Sequence, residues 1–489
     1  MIVANFYKKY KASPQVVPAG QILPKGAGLF IFAPPWYNTY NHPAWHRPGR
    51  TSKKAGKEAV RLLMNLQTLH KDAARRAAWG QRLFCTALAM LLLLSEVFSS
   101  SIQSTLPTFS HLARLVLTGG AIALLLVKCV FFTQYESRIQ WGIAVAAVGY
   151  AGFAGLYGDD TWFPLAVLVG LGAKGVDLRR ALRVYLAVAA AGVVTVQLLH
   201  AGTDLIPFRY YARNWDFGYG HYNGYGGRLV GVFFAWGWLR WGRLRWWDWA
   251  GLAGLAAYTL LVPGCRGAGG AMVVLLVLFL AWKLCPKFFT GRLWQAFVTA
   301  LYPVLTAASM LTGYFFDPEN PGRTPLLASV NRLLSGRFEV WHHVFWARPY
   351  THPAEDGVAA WYHGDLPNTL TLLGGLPTDG DVHHSIDNTY LALVMNKGLL
   401  GAVVVGAVIT FLAWRLVRHG HVGESLCLAA MLLYFLMENK PFLLSANPLV
   451  LLLPCALLTP RGADLPVLCE RPAKVGRQKE KQEFTAFHS

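Results

Sequence analysis

The chain has 489 residues, of which 54% are hydrophobic and only 14% are charged, and its mean hydropathy is +0.35. Because a soluble domain carries about 25% charged residues, this composition excludes a disordered chain, a coiled coil and a conventional cytosolic enzyme. Lys and Arg nevertheless outnumber Asp and Glu by 45 to 25, and the resulting net charge of +20 requires an explanation, either by nucleic acid or by a membrane.

Apolar stretches recur along the chain at about the length of 20 residues that a bilayer-crossing helix needs. They predict an all-α polytopic membrane protein with about twelve transmembrane helices and one large periplasmic loop that contains short helices. The predicted segments lie near residues 83–97, 112–132, 139–157, 162–176, 182–199, 229–239, 246–264, 267–283, 294–314, 389–414, 423–438 and 443–459.

Clusters of Lys and Arg fall in alternate connections between these segments, which is the pattern of cytoplasmic loops and indicates that both termini are cytoplasmic. The first 82 residues contain 14 Lys and Arg against two acidic residues, as a cytoplasmic arm that faces anionic lipid would. The arm is either a disordered tail or an amphipathic stretch that lies on the membrane surface, and we expect it to be mostly disordered. The predicted organisation is a basic cytoplasmic arm (1–80), transmembrane helices 1–9 (81–314), a periplasmic loop (315–388), transmembrane helices 10–12 (389–460) and a cytoplasmic tail (461–489). Nucleic acid is then not needed to explain the charge.

The seven cysteines lie in or beside the predicted spans and form no C-x-x-C pair, so we expect neither a zinc site nor a disulfide framework. We expect no cofactor. Six of the fifteen histidines fall in the predicted periplasmic loop, but their tandem pairs lack the helical spacing of metal ligands. These histidines are His342, His343, His352, His363, His383 and His384.

Two long segments are predicted to lie outside the cytoplasm, over residues 200–228 and 315–388. The second carries nine acidic residues against four arginines, opposite in sign to the rest of the chain, and a loop of this length is the first place to look for chemistry. The first alternates aromatic residues with Gly around Arg209, Arg213 and Tyr222. Such a pattern suits either a surface that stacks on sugar rings or an interfacial belt of Tyr and Trp, and the aromatic residues alone favour the belt.

Arg228 and Arg266 each begin an apolar segment on the predicted non-cytoplasmic face, where the positive-inside rule disfavours them. Either they snorkel to the interface or they bind an anion, and two Gly-flanked arginines at one face favour the anion. A phosphate on the face away from ATP indicates a lipid-linked phosphate or pyrophosphate. Since the chain has no P-loop, the energy for a reaction would come with the substrate.

These stretches resemble the O-antigen ligase and O-antigen polymerase superfamily of bacterial inner-membrane glycosyltransferases. The resemblance rests on the Gly-Arg motif around Arg266, on Ser335-Gly336-Arg337-Phe338-Glu339-Val340-Trp341, and on His383-His384-Ser385-Ile386-Asp387-Asn388-Thr389-Tyr390-Leu391 with the following Lys397-Gly398-Leu399-Leu400-Gly401. Family members typically carry His-Asn-x-Tyr-Leu where this chain has Asp387-Asn388-Thr389-Tyr390-Leu391, so the histidine is displaced upstream.

The resemblance implies a metal-independent enzyme of lipopolysaccharide biosynthesis that acts at the periplasmic face. A ligase moves a polysaccharide from undecaprenyl pyrophosphate to a hydroxyl of lipid A–core, whereas a polymerase moves it to a second lipid-linked glycan. A transporter of lipid-linked glycan is the alternative from another class. The residues implied are His384, His383 and Asp387 for catalysis, Arg228, Arg266 and Arg337 for pyrophosphate, and Arg209, Arg213, Tyr222 and Trp341 for acceptor or glycan.

Three further charged residues have more than one interpretation from sequence. Glu438 and Lys440 lie close together near the same predicted face, as a structural ion pair or as part of an acceptor site. Lys397 either snorkels or contributes to function.

Overall fold

The computed structural model of the protein describes residues 52–157, 160–211, 214–334, 336–346, 370–373, 386–460 and 465, and the side chains of these residues apart from 52–71, 157, 211 and 343. The chain divides into two units, Met1–Asn65 and Leu66–Ser489, and every described element other than the start of the first helix belongs to the second unit. The described residues are mostly helical, as the sequence predicts.

The helices are, in chain order, α1 (Ser52–Leu93), α2 (Ile102–Thr105), α3 (Pro107–Val127), α4 (Arg138–Tyr157), α5 (Trp162–Gly172), α6 (Leu178–Gly202), α7 (Tyr222–Arg240), α8 (Trp246–Leu261), α9 (Arg266–Leu284), α10 (Pro286–Phe289), α11 (Arg292–Phe315), α12 (Pro325–Leu333), α13 (Arg337–Phe345), α14 (Thr389–Arg418), α15 (Val422–Phe435) and α16 (Leu453–Leu457). Short π-helical turns, Leu94–Phe98 and Lys128–Phe132, extend α1 and α3, and 3₁₀ turns form at Pro321–Arg323 and Pro448–Leu452. Two short antiparallel strands, β1 (Tyr210–Tyr211) and β2 (Asn214–Trp215), precede α7 and pair Tyr210 with Trp215.

Seven helices in the described part of the chain are long and apolar enough to cross a membrane. They are Asp72–Phe98, Pro107–Phe132, Arg138–Leu156, Leu178–Gly202, Arg266–Leu284, Arg292–Phe315 and Thr389–Arg418. The other predicted spans correspond to helices that are shorter or less apolar, so the count of about twelve and the sidedness of the loops stay predictions.

Two sequence-based expectations differ from the structure. A continuous helix over 443–459 is wrong: the described residues form a 3₁₀ turn and a five-residue helix there, because Pro448 and Pro454 lack the N–H that a continuing helix needs. Disorder across residues 52–80 is also wrong, since α1 begins at Ser52. That stretch is rich in Ala, Leu, Lys and Arg, which have high helix propensity. Residues 1–51 lie outside the described residues.

The largest apolar core lies between α1, α5, α6, α7, α9, α14 and α15 and includes Tyr185, Phe233, Trp238 and Phe279. Small residues allow the close approach that membrane helices rely on. A Cβ on Gly231 of α7 would overlap the backbone oxygen of Ser445.

A second core packs the segment after α11 onto the start of α14. Phe316, Phe338, Trp341 and Phe345 bury their rings against Leu391 and its neighbours, and Trp341 is only 2% exposed. This packing fixes the start of α13 beside the start of α14, which positions the site described below.

The helix α14 is interrupted at Gly398, whose φ of 66° and ψ of −177° lie in a region that is nearly restricted to glycine. The preceding residue, Lys397, is buried and its Nζ lies 3.1 Å from Oδ2 of Asp160, just before α5. The interruption therefore separates a short N-terminal part of α14, which contacts Asp160, from the longer C-terminal part.

We predict that Gly398→Ala lowers the free energy of unfolding by about 1–3 kcal/mol, because alanine is strained at this φ and ψ. Unfolding in detergent, followed by circular dichroism, measures the change. Gly270→Ala in α9 is the control, since no atom lies within 4 Å of a Cβ there and alanine favours a helix. Equal stability of Gly398→Ala and the native protein would contradict the prediction.

Candidate functional site

The N-terminal ends of four helices meet around one buried carboxylate, that of Glu438, which follows α15. These helices are α7, α9, α13 and α14. The Sγ of Cys265, at the start of α9, donates a hydrogen bond of 2.9 Å to the backbone oxygen of Tyr222 in α7. Oγ1 of Thr389, at the start of α14, donates to the backbone oxygen of Glu438 at 2.7 Å. The helix dipole makes such ends attractive to anions.

Glu438 is only 2% exposed and is balanced by two cations. Its Oε1 lies 3.4 Å from a terminal nitrogen of Arg337, and its Oε2 accepts a hydrogen bond from Nζ of Lys440. Nζ of Lys440 also donates to the backbone oxygen of Asn223 in the first turn of α7, at 3.1 Å. The carboxylate thus ties the start of α13 to the segment after α15, and Lys440 ties that segment to α7.

Arg337 begins α13 and also reaches the residues before α14. One terminal nitrogen lies 3.0 Å from Oδ2 of Asp387 and 3.2 Å from the backbone oxygen of the same residue. The start of α13 is fixed by Asn331, whose Oδ1 accepts from the backbone N–H of Phe338 at 2.8 Å. The side chain of Asp387 remains 38% exposed, so the carboxylate is accessible beside the guanidinium.

Asn388 is the N-cap of α14 and is fully buried. Its Oδ1 accepts from the backbone N–H groups of Tyr390 and Leu391 at 2.9 and 3.1 Å, and its Nδ2 donates to Ser309 of α11 at 3.0 Å. The Asn388 side chain therefore orients the start of α14, and with it the preceding Asp387.

His221 is the N-cap of α7, and its Nδ1 accepts the backbone N–H of Asn223 at 3.1 Å. In the neutral ring the proton then lies on Nε2. Burial lowers the pKa of the imidazole below its usual value of 6.5; the positive charges of Lys440 and Arg337 act in the same direction and Asp387 opposes them. The sequence analysis did not select His221, because the predicted apolar segment begins only near residue 229 and histidine is not among the preferred N-cap residues.

Arg228 has a different environment, inside α7. Its Nε lies 3.4 Å from the buried carboxylate of Glu96, and its terminal nitrogens donate to the backbone oxygens of Ser95 and Gly224, both at 2.8 Å. The guanidinium also lies 4.0 Å from the centre of the Tyr219 ring. The charge of Arg228 is therefore balanced by groups within the protein.

The remaining predicted site residues are distributed as follows. Arg266 begins α9, and a Cβ on the next residue, Gly267, would lie 3.7 Å from Oε1 of Glu438, so this helix start belongs to the group. Tyr222 is half-buried at the start of α7. Trp341 packs on Phe338, with 4.9 Å between ring centres, and stabilises the second core.

Arg209 precedes β1, and its backbone N–H donates to Asp216 at 2.9 Å. Arg213, His383 and His384 lie outside the described residues. Within the described part of the chain, no group of three or more His, Cys, Asp or Glu side chains is arranged to hold a metal ion.

The arrangement gives the site a cation pair, Arg337 and Lys440, that faces two carboxylates at the positive ends of four helices.

Comparisons with models of protein families, with curated proteins and with solved structures each found no match.

We predict that Arg228→Met lowers the free energy of unfolding by about 3–5 kcal/mol, because it leaves the Glu96 carboxylate buried and unpaired. The double variant Glu96→Gln/Arg228→Met should recover most of this loss, since neither charge then remains. Denaturant unfolding in mixed detergent measures both. Arg332→Met, on an exposed residue of α12, is the control. An Arg228→Met protein with native stability would contradict a structural role for this ion pair.

We also predict that His221 makes the fold sensitive to acid. Since its pKa is lower in the folded chain than in the unfolded chain, its contribution to stability is complete above about pH 6.5 and is lost as the pH falls through the folded pKa. His221→Asn keeps a capping side chain that does not titrate. The apparent Tm of the native protein should therefore fall more steeply below pH 6.5 than that of His221→Asn. Parallel curves for the two proteins would refute this.

Proposed function

We propose that the protein is a membrane glycosyltransferase of the O-antigen ligase type, which moves a glycan from undecaprenyl pyrophosphate to a hydroxyl of lipid A–core. The observation that supports it best is the position of Arg337 and Lys440 beside Glu438, where four helices begin. In this proposal the protein lies in the bacterial inner membrane with about twelve spans, both termini are cytoplasmic, and the site and residues 315–388 face the periplasm.

The charge of the group suits a pyrophosphate. Arg337 and Lys440 supply two positive charges, against two negative charges from Glu438 and Asp387. In this proposal Arg266, at the start of α9, adds a third positive charge. Each of the four helix starts adds about half a positive elementary charge. With the charge of Arg266 and the helix dipoles included, the group is net positive even with both carboxylates ionised, and the fork of Arg337 matches phosphate oxygens in geometry.

In the proposed reaction the acceptor hydroxyl oxygen forms a bond to the anomeric carbon while the bond from that carbon to the pyrophosphate oxygen breaks. The electron pair leaves with the lipid pyrophosphate, where Arg337, Arg266 and Lys440 stabilise the developing charge. The hydroxyl proton passes to a base, for which we propose His384 first and His383 second. Asp387 orients the imidazole or serves as the base itself.

The remaining predicted residues receive roles around this reaction. We assign binding of the acceptor or glycan to Tyr222, Arg209 and Arg213. Trp341 supports α13 from the second core. Arg228 acts through its ion pair with Glu96, which stabilises α7 and so orients its N-terminal end. His221 caps that end as a neutral ring, with Nδ1 occupied by a backbone N–H, so it is not the proposed base.

Two alternatives use the same site. A polymerase would perform the same transfer with a second lipid-linked glycan as acceptor. A transporter of lipid-linked glycan is favoured by one observation, the interruption of α14 at Gly398, because transporters often contain broken helices. Transfer by protein in detergent, where no membrane barrier exists, separates an enzyme from a transporter.

We predict that the purified protein in detergent transfers glycan from undecaprenyl pyrophosphate to lipid A–core, and that Arg337→Met reduces kcat/KM by about 10²–10³-fold, because a charge that stabilises the leaving group is lost. Arg337→Lys should retain part of the activity. Arg332→Met, on α12, serves as the control and should be unaffected, because its side chain is exposed.

The acceptor is varied in the same assay. Chain elongation with a second lipid-linked glycan, in place of transfer to lipid A–core, would identify a polymerase. If no transfer occurs in detergent with either acceptor, or if Arg337→Met transfers at the native rate, the proposed enzyme mechanism is contradicted.

A further inference from the structure

A cavity of about 340 Å³ is lined in part by residues 439–443, which directly follow Glu438. It is lined by the residues just before and at the start of α5, by the N-terminal part of α14 and by residues 439–443. Its volume falls within the range of about 300–1,000 Å³ that is typical of small-molecule sites. Lys440 lines the cavity and also contacts Glu438, so the cavity and the anion-binding group share a wall.

One ion pair in the lining of this cavity, Asp160 with Lys397, is held by further hydrogen bonds to the backbone. Oδ1 of Asp160 accepts the backbone N–H groups of Trp162 and Phe163 at 3.0 and 3.3 Å, which caps α5, and its Oδ2 lies 3.1 Å from Nζ of Lys397. Lys397 has a side chain only 3% exposed, and it also donates to the backbone oxygen of Ala154 at 3.4 Å. A charged pair fixed in this way is pre-organised, which lowers the cost of binding a ligand.

The charges of the cavity differ from those of the anion-binding group. Among the lining residues Asp160 balances Lys397, whereas the charge of Lys440 is paired with Glu438, which lies outside the lining. The Asp160 carboxylate, which lines this cavity and not the anion-binding group, disfavours a phosphate here. The lining also offers hydrogen-bond donors and acceptors side by side, including the exposed carboxamides of Asn396 and Asn439.

Trp162 adds a half-buried aromatic ring to the same wall. A ligand with several hydroxyls and one apolar face matches this combination, because each hydroxyl both donates and accepts and the apolar face packs on the ring.

We propose that this cavity binds a neutral sugar residue of one of the two substrates. The inference rests on the proposed glycan transfer, and it assigns a second subsite to that reaction: Arg337 and Lys440 hold the pyrophosphate, and the cavity holds a sugar ring beyond Lys440. The sugar comes either from the acceptor or from the glycan of the donor, and both present the same hydroxyl chemistry.

The test uses Trp162→Leu and Asn396→Ala in the transfer assay, with the concentrations of donor and acceptor varied separately. We expect each variant to raise KM for one substrate by about five- to tenfold, the loss that corresponds to one hydrogen bond or apolar contact, with kcat changed less than twofold. A higher KM for lipid A–core assigns the sugar to the acceptor, and a higher KM for the lipid-linked glycan assigns it to the donor.

Trp247→Leu, on an exposed residue of α8, and Asn320→Ala, in an exposed turn, are matched controls. Unchanged KM values for both substrates would overturn the proposal.

A second measurement does not depend on transfer. Saturation-transfer NMR on the full-length protein in nanodiscs uses two probes, the core oligosaccharide and the glycan, both released from their lipids. Signals from either probe that weaken in Trp162→Leu but not in Trp247→Leu would support the cavity even if no transfer were found. Absence of signals from both probes would overturn the cavity proposal, whereas transfer with native KM values in the variants would leave the proposed function intact.

Discussion

The carboxylate of Glu438 is buried at the end of an apolar helix bundle, where an unpaired charge would cost several kcal/mol. It therefore depends on Arg337 and Lys440, and each of these cations brings a further segment with it. Arg337 fixes Asp387 before α14, and Lys440 bonds to the first turn of α7 through Asn223. The pairing of one buried acid thus holds the starts of α7, α13 and α14 together, and their dipoles add to the same positive potential.

Two further ion pairs in the described residues follow the same rule with different consequences. Glu96 and Arg228 form an ion pair inside the bundle, and the backbone oxygens of Ser95 and Gly224 each accept one hydrogen bond from the guanidinium. Asp160 and Lys397 pair at the edge of a cavity, where the carboxylate keeps some exposure. Ionisable residues among apolar helices are expensive, so each pair marks either a structural anchor or a site. Exposure separates the two classes: the Asp387 and Asp160 carboxylates remain partly accessible, and that of Glu96 does not.

The sequence predicted the helical, membrane-type architecture because runs of apolar residues are local signals, and it selected Arg337 and Asp387 through their motifs. The sequence could not show that Arg228 pairs with Glu96, because the two residues lie 132 positions apart. Glu96 also lies at the end of the predicted segment 83–97, where an acidic residue has no evident partner in the sequence. Lys397 and Asp160 were likewise not connected, because their contact depends on the interruption of α14 at Gly398. Neither the periodicity nor the composition of a sequence shows which distant charged residues pair in the folded chain.

The central claim is that the converging helix ends with Arg337 and Lys440 bind a lipid-linked pyrophosphate. A cryo-electron microscopy structure of the protein in nanodiscs with undecaprenyl pyrophosphate tests it most directly. The account predicts phosphate density within hydrogen-bond distance, about 3 Å, of the side-chain nitrogens of Arg337 and Lys440. Phosphate bound elsewhere, with Arg337 still held only by Asp387 and Glu438, would contradict it.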